Sequence, residues 1–187
     1  MTEVEQNILE AAIGVIARYG IRKTTMADIA DTAGVSRQTL YTHYRNKDTV
    51  LIAAMHFVAD KSERSFTERR IQVGTLGEVL DIYFEECVIN YFHFIAQTPD
   101  AQDLLLGFTP AGKAASIEVS ERKARLIADS LAPFEAQIQA SGTTVISYAR
   151  FFTTSASNAK FSVQSLDQLQ DYLAALKISV LSTLRVN

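Results

Sequence analysis

The sequence is poor in residues that cross-link or interrupt a chain. It has one cysteine, three prolines and eight glycines in 187 residues. Because Cys87 is alone, an internal disulfide is excluded and a thiolate metal cage is disfavoured, so we predict a buried, inert thiol. Because helix-breaking residues are so few, most long windows follow a helical period, and no segment has a convincing strand pattern. The sequence therefore predicts an all-α protein.

Long apolar runs are also missing. None reaches the roughly 18 residues that a membrane-spanning helix needs. The first twenty residues carry Glu3, Glu5 and Glu10, whereas a secretory signal requires positive charge there. We therefore expect a cytoplasmic protein without a membrane partner.

Patterns typical of catalysis or metal binding are not found either. The three histidines have no metal-ligand spacing with one another or with Cys87. Neither a glycine-rich phosphate loop nor a G-x-S-x-G nucleophile elbow occurs. Glu85 and Glu86 are adjacent, so a regular helix points them to different faces, and we expect solvated charge. The sequence thus predicts no enzyme, no metal site and no cofactor.

Positive charge is concentrated near one end of the chain. The net charge is −3, which by itself argues against nucleic-acid binding. Between Arg18 and Lys47, however, six basic residues face only two acids, Asp28 and Asp31, while the remainder from Asp48 onward carries twelve basic and sixteen acidic residues. A positive segment on a negative body is the asymmetry expected when only one end approaches phosphate.

Capping residues divide the chain into about nine helices. Gly20 and Gly34 end the first two, and a long aromatic helix is expected from Thr75 to about Gln97. Another is expected over residues 113–139, kinked or split by Pro133 and ended by Gly142. The predicted N-terminal caps are Thr25, Ser36, Asn46, Thr75 and Ser165, with Asp28, Glu78 and Gln168 completing capping boxes.

Two domains follow from this pattern. Residues 1–47 are expected to form a three-helix domain, and residues 48–187 a larger helical domain. A connecting helix covers about residues 47–70. The segment "GVSRQTLYTHYRNK", residues 34–47, has the order of a helix-turn-helix: a glycine turn followed by a short polar helix anchored by Leu40.

The first turn of that short helix has the chemistry of base recognition. Arg37 can pair with guanine, Gln38 with adenine, and Thr39 can touch a thymine methyl. Tyr44 and Lys47 lie at its far end, where phosphate contacts are expected, and Thr25 can reach phosphate from the start of the preceding helix. The alternative is a polar surface helix on a helical enzyme.

The stretch "TTMADIADTAGVSRQTLYTHYRNKDTVL" resembles the N-terminal DNA-binding domain of the TetR family of bacterial transcriptional regulators. The match covers about residues 5–55, and beyond it only helix order and chain length agree. Asn46 departs from the small residue or proline common in the family. The candidate DNA-contacting residues, most of them implied by this resemblance, are Thr25, Ser36, Arg37, Gln38, Thr39, Tyr41, His43, Tyr44 and Lys47.

The second domain is expected to enclose an effector, as the resemblance implies. An aromatic, weakly polar lining favours a small hydrophobic or planar compound. The alternative is that the aromatic side chains are core and that Glu86, Asn90, His93 and Gln97 are the wet side of the helix. The candidate ligand-binding residues are Phe84, Cys87, Asn90, Tyr91, His93, Phe94, Phe108, Tyr148 and Phe152.

The last two helices have small and leucine-lined faces that suit a four-helix dimer interface. The alternative is packing within one chain. The candidate interface residues are Ala149, Ala156, Leu169, Leu173, Leu176 and Val180.

The sequence thus predicts a homodimeric regulator, most simply a repressor released from a near-palindromic double-stranded operator by a small-molecule effector. Two alternatives stay open: a DNA-binding regulator controlled by a protein partner instead of a small molecule, and an all-helical enzyme.

Overall fold

The computed structural model describes residues 1–97 and 109–185, and throughout these ranges the regular elements are helices. Phe108, one of the candidate ligand-binding residues, lies outside the described residues. The helices are α1 (Glu3–Tyr19), α2 (Met26–Ala33), α3 (Arg37–His43), α4 (Lys47–Arg70), α5 (Leu76–Phe84), a π-helical turn (Glu85–Ile89), α6 (Asn90–Gln97), α7 (Pro110–Leu131), a 3₁₀ turn (Ala132–Phe134), α8 (Glu135–Ala140), α9 (Val145–Ser162) and α10 (Leu166–Leu184). The predicted all-α class is confirmed.

The first three helices begin and end where their caps predict. The Thr25 hydroxyl accepts from the Asp28 amide, and the Asp28 carboxylate accepts from the Thr25 amide, so α2 opens with a complete capping box. Gly34 ends α2 in the left-handed conformation, at φ 66° and ψ 28°, which costs glycine no steric strain. Ser36 then caps α3 by accepting from the Thr39 amide.

The predicted long aromatic helix is helical over its full length but not uniform. Thr75 and Glu78 form the expected capping box. The turn at Glu85–Ile89 is π-helical, and the Asn90 amide donates to the Glu85 carbonyl, five residues back. Such turns are frequent at functional sites.

The π turn corrects the prediction that Glu85 and Glu86 are merely solvated. Both carboxylates contact the Arg69 guanidinium, Nη2 to Glu85 Oε2 at 2.7 Å and Nη1 to Glu86 Oε1 at 2.6 Å. These two hydrogen bonds are the chief cause that raises the pKa of Arg69. A regular helix separates neighbouring side chains by about 100°, and the wider turn brings this adjacent pair onto one guanidinium.

Pro133 splits the next helical stretch, as predicted. α7 ends at Leu131, the proline lies in the 3₁₀ turn, and α8 follows, with Gly142 beyond its end at φ 83°. The cap of α10 differs in detail from the prediction. Ser165 accepts from the Gln168 amide, but the Gln168 side chain accepts from the Gln164 amide, so the reciprocal half of the box is shifted by one residue.

The chain divides into two compact units. One comprises Met1–Asp60 and His93–Glu118 and the other Lys61–Phe92 and Val119–Asn187, in each case as far as the residues are described. The sequence placed the boundary at residue 47, whereas this division places it inside α4.

Each unit has its own core. The first unit is built around Ile8, Ala12, Ile29, Leu40 and Val50, all almost or completely buried. A second small cluster there joins Ile16, Ile21 and Leu51, with Met55 and Phe94 packed against it. The second unit has a larger core, with Phe66, Tyr83, Ile127, Phe152 and Leu173 among its members. Over the described residues, no helix is long and apolar enough to cross a membrane.

Candidate functional site

The short helix α3 is displayed outward on a single buried anchor. Leu40 is fully buried in the core of the first unit. Arg37 and Gln38, in the first turn, are exposed, and Thr39 is half-buried. Tyr41 is 53% exposed although it is aromatic. An amphipathic helix with only one deeply buried residue offers its remaining surface to a partner.

Two of the candidate DNA contacts are occupied as helix caps. The Thr25 hydroxyl lies 3.2 Å from the Asp28 amide and donates to the Asp28 carboxylate at 2.7 Å. These Thr25 hydrogen bonds lower the pKa of Asp28, which is fully exposed. The Ser36 hydroxyl lies 3.0 Å from the Thr39 amide and 2.8 Å from the Thr39 hydroxyl. The two capping hydroxyls therefore hold the first turns of α2 and α3 in place.

Lys47 has a structural role that its sequence pattern did not predict. Its Nζ donates to the Ile21 carbonyl at 3.0 Å and to the Thr24 carbonyl at 3.1 Å. These carbonyls belong to the connection between α1 and α2, so the first residue of α4 is joined to that turn. An ammonium has three N–H groups, which leaves one for a phosphate oxygen.

His43 and Tyr44 close the segment beside the start of α1. His43 is exposed, and its Nδ1 lies 3.7 Å from Glu5 Oε1. Tyr44 is half-buried and packs against the core of the first unit. Burial, and then the negative charge of Glu5, raise the pKa of Tyr44. Its hydroxyl is therefore a protonated hydrogen-bond donor at neutral pH.

The predicted ligand-binding residues separate into three groups. Phe84 and Phe152 are buried and stacked at 5.6 Å between ring centroids, Cys87 and Tyr91 are buried with them in the second unit, and Tyr148 is half-buried at its edge. Asn90 and His93 are exposed, as the wet-side alternative predicts. Phe94 packs against Ile16, Ile21 and Leu51 in the first unit, so it is not a wall of the second unit's interior.

The predicted dimer seam lies inside the chain. Ala149, Ala156, Leu169, Leu173 and Val180 are each at most 2% exposed, and Leu176 packs against the same core. Packing within one chain therefore accounts for their spacing. The large apolar side chains exposed on α9 and α10 are instead Phe151 (60%), Tyr172 (44%) and Ile178 (63%).

Two buried lysines in the second unit were missed by the sequence prediction. Lys123 and Lys160 are 6% and 8% exposed. Their Nζ atoms lie 4.1 and 5.7 Å from the centroid of the Tyr91 ring, and Lys160 Nζ also lies 4.9 Å from the centroid of Phe161. Neither ammonium forms a hydrogen bond or an ion pair with any residue that the structure describes.

A sequence signal for these lysines existed. Lys123 precedes Ile127 and Leu131 by one and two helical turns, and Lys160 follows Phe152 and Ala156 in the same way. Each lysine thus occupies a position of a buried stripe where an apolar residue is expected. Lysine is almost never fully buried unless it is paired, so such a position is informative.

Burial changes the protonation of this interior. Burial, followed by the charge of Lys123, lowers the pKa of Lys160 to about 7. Burial raises the pKa of the Cys87 thiol to about 11, so it is a thiol and not a thiolate at neutral pH. The prediction of a buried Cys87 is confirmed, since it is fully buried.

Three buried polar side chains in the described part of the same unit also have oxygen atoms without hydrogen-bond partners. Among the described residues, the buried Tyr91 hydroxyl and Glu63 Oε1 accept or donate no hydrogen bond. The Tyr83 hydroxyl is near Ser157 but makes no hydrogen bond of ordinary geometry. Glu63 is held through its other oxygen, Oε2, by Arg122 Nη2 at 2.6 Å. Unpaired buried polar groups cost free energy and call for an explanation, such as a bound molecule.

No group of three or more histidine, cysteine or acidic side chains in the described part of the chain is placed to hold a metal ion.

Comparison with known proteins agrees with the architecture of the first unit. Residues 8–54 match the family model described as bacterial regulatory proteins, tetR family. The probable acrEF/envCD operon repressor of Escherichia coli K12 is 32% identical over 103 residues, covering 55% of this chain and 46% of that protein. The regulator TtgR of Pseudomonas putida is 34% identical over 94 residues, covering 47% and 44%. The chain therefore spans about half the length of these curated relatives.

Solved structures extend the likeness in fold to almost the whole chain. A putative TetR-family regulator from Rhodococcus has a TM-score of 0.71 at 20% identity, covering 95% of this chain and 98% of that one. The fatty acid degradation regulator FadR of Bacillus halodurans has a TM-score of 0.71 at 17% identity, covering 100% and 99%. At such identities the likeness shows the shared fold alone.

Proposed function

We propose that this chain is a transcriptional regulator of the TetR family and a homodimeric repressor of a near-palindromic operator. Its release by a small-molecule effector bound in the second unit completes the proposal. One observation carries most of it: α3 presents Arg37 and Gln38 to solvent while Leu40 alone anchors its back. That arrangement suits a helix that enters the major groove.

Base readout is assigned to the first turn of α3. The Arg37 guanidinium matches guanine O6 and N7, and the Gln38 amide matches adenine N6 and N7. Thr39 is partly engaged with Ser36, so its methyl group is the part offered to a thymine. A correct bidentate pair discriminates against other bases by about 1–3 kcal/mol.

Phosphate contacts are assigned to the flanking groups. The amides at the start of α2, framed by the Thr25 cap, carry the partial positive charge of a helix N-terminus. Tyr41, Tyr44 and the third N–H of Lys47 supply donors around α3. Such contacts position the protein on the duplex without reading its sequence.

Dimerisation is assigned to the exposed apolar surface of α9 and α10, which includes Phe151, Tyr172 and Ile178. Apolar aromatic and aliphatic side chains are enriched in the centres of protein interfaces. In a two-fold dimer, the two α3 helices would have to meet successive major grooves about 34–36 Å apart.

The signal by which a bound effector releases DNA is proposed to pass along the helical stretch that contains α6. Tyr91 lies beside the two lysines in the second unit, and Phe94, less than one turn later, packs against Ile16, Ile21 and Leu51 in the first. A ligand that prefers one position of this helix would shift the population of DNA-competent dimers. Coupling of this kind typically amounts to about 1–3 kcal/mol.

The test is selection of bound sequences from a random duplex library, followed by titration of the selected duplex. We expect a near-palindromic motif with saturable binding at least a hundredfold tighter than to a scrambled duplex. As a control, Arg125→Ala removes the charge of an exposed arginine on α7, in the second unit, and should leave the selected motif unchanged. Equal affinity for selected and scrambled duplexes would contradict the proposal.

A further inference from the structure

The interior of the second unit contains two lysines that form no ion pair with any residue in the described part of the chain. Lys123, from α7, and Lys160, from α9, bring their Nζ atoms to one aromatic ring, that of Tyr91 on α6. Both are more than nine-tenths buried. Neither has a hydrogen-bond or ion-pair partner within the described residues, although burying an unpaired ammonium is costly.

Two carboxylates, Glu63 and Glu86, act on the nearby Cys87 thiol, but neither forms an ion pair with Lys123 or Lys160. Glu63 is bound by Arg122, and Glu86 is bound by Arg69. The other ionisable groups that act on Lys160 are Lys123, which repels its charge, and Cys87, which is a neutral thiol at pH 7. Tyr91 offers its ring to both ammonium groups and leaves its hydroxyl unpaired. Among the described residues, therefore, no acceptor pairs with either ammonium, and the unpaired Glu63 Oε1 bonds to neither.

The surroundings define what kind of acceptor would fit. The core of the second unit contains Phe84, Phe152 and Tyr83, with ring centroids 5.6–6.4 Å apart, and the charge of Tyr91 acts on Tyr83. Hydrated inorganic anions gain little from aromatic walls, whereas an organic acid offers a carboxylate to the lysines and an apolar body to the rings.

We propose that the second unit binds a small organic carboxylate, whose carboxyl group lies between Lys123 and Lys160 and accepts from the Tyr91 hydroxyl. As an identification of the effector, this rests on the function proposed above. As a binding site, it stands on the geometry of the lysines alone.

The binding reaction should take up a proton. Lys160 is close to half protonated at neutral pH without a ligand, and a carboxylate beside it favours the ammonium form. Carboxylate affinity should therefore be highest below pH 7 and fall as pH rises above 7. Lys123, Cys87 and Tyr91 all face this site, so the wild-type pH profile must be compared with that of Lys160→Met.

The test uses isothermal titration of the full-length chain with benzoate and decanoate, each matched to its neutral alcohol, benzyl alcohol and decanol. We expect at least one carboxylate to bind tenfold or more tightly than its alcohol. Lys123→Met and Lys160→Met should each weaken that carboxylate at least tenfold and leave the alcohol unchanged. Lys61→Met, an exposed lysine, is the matched control and should bind as the wild type does. Titration above pH 7 in HEPES and in Tris, whose ionisation enthalpies differ, counts the proton taken up.

Each contrary result overturns the site. Equal binding of acid and alcohol, no binding of either acid at millimolar concentration, or methionine variants that bind the acid as the wild type does would all exclude it. Thermal melting verifies that the variants are folded. Phosphate that competes as well as benzoate would show a simple anion site and contradict the organic-acid assignment. If a carboxylate binds but leaves operator affinity unchanged, the site stands and only its role as the effector site is excluded. If the ligand-free protein binds no operator, only the proposed function is contradicted.

Discussion

At the scale of single residues, the side chains of α3 that we expect to determine DNA specificity contribute little to the stability of the fold. Arg37 and Gln38 are exposed on the first turn of α3, and their removal exposes no core. Exposed substitutions usually change stability by no more than about 0.5 kcal/mol. We therefore expect Arg37→Ala and Gln38→Ala to keep the wild-type melting temperature and to relax base preference at one operator position each. Repeating the duplex selection with each variant measures this, and an unchanged motif would contradict the readout assignment.

Lys47 differs because its ammonium serves the fold as well as phosphate. Lys47→Ala leaves the Ile21 and Thr24 carbonyls without their donor, which should cost about 1–3 kcal/mol of unfolding free energy. It should also weaken binding to all duplexes and lower the salt slope by about one. Denaturant unfolding and binding at several salt concentrations separate these effects. A variant of normal stability would exclude the structural role.

The protonation of Lys160 predicts a pH-dependent stability difference. Its pKa is lowered from 10.5 to about 7 on folding, so between these values the unfolded chain binds more protons than the folded one. The destabilisation is complete below pH 7 and is relieved as pH rises toward 10.5. Lys160→Met removes this titration and should be more stable than the wild type below pH 7, with the advantage shrinking above it by up to about 1.4 kcal/mol per pH unit. Urea unfolding at pH 6, 8 and 9.5 measures the difference, and one that does not change with pH would contradict the prediction.

At the scale of elements, helix ends were predictable and helix irregularities were not. Thr25, Ser36, Asn46, Thr75 and Ser165 all cap helices, because capping depends on side chains within three residues of the helix start. The ion pairs of Arg69 with Glu85 and Glu86 in the π turn join residues sixteen and seventeen positions apart, and local pattern cannot reveal them. The exposed face of α3 followed from its polarity, whereas the buried lysines required the long-range packing of α6, α7 and α9.

Two glycines provide a matched test of the turn before α3. Gly34 has φ 66° and Gly14 lies inside α1, and a Cβ at either position meets no atom within 4 Å. Gly34→Ala should therefore lose about 1–2 kcal/mol from left-handed backbone strain alone. Gly14→Ala should gain about 0.5–1 kcal/mol because alanine is the better helix former. Thermal unfolding of the pair measures both, and equal shifts of the same sign would contradict the conformational argument.

At the scale of the whole molecule, the proposed function requires two chains, and the outer surface of the last two helices is where we expect them to meet. The predicted seam residues, such as Leu173, are committed to the chain's own core, so Leu173→Glu should unfold the second unit. Phe151 and Ile178 are exposed and contribute little to the core. A charge at either position should therefore oppose only the association of two chains.

Phe151→Glu and Ile178→Glu should therefore yield folded monomers that bind the operator at least tenfold more weakly, because one α3 helix can then engage only one half-site. Light scattering during size exclusion gives the mass, and circular dichroism verifies the fold. Ile117→Glu places the same charge on an equally exposed isoleucine of α7 and should remain dimeric. Variants that keep the dimeric mass would exclude this surface, and monomers with full operator affinity would contradict the requirement for two reading helices.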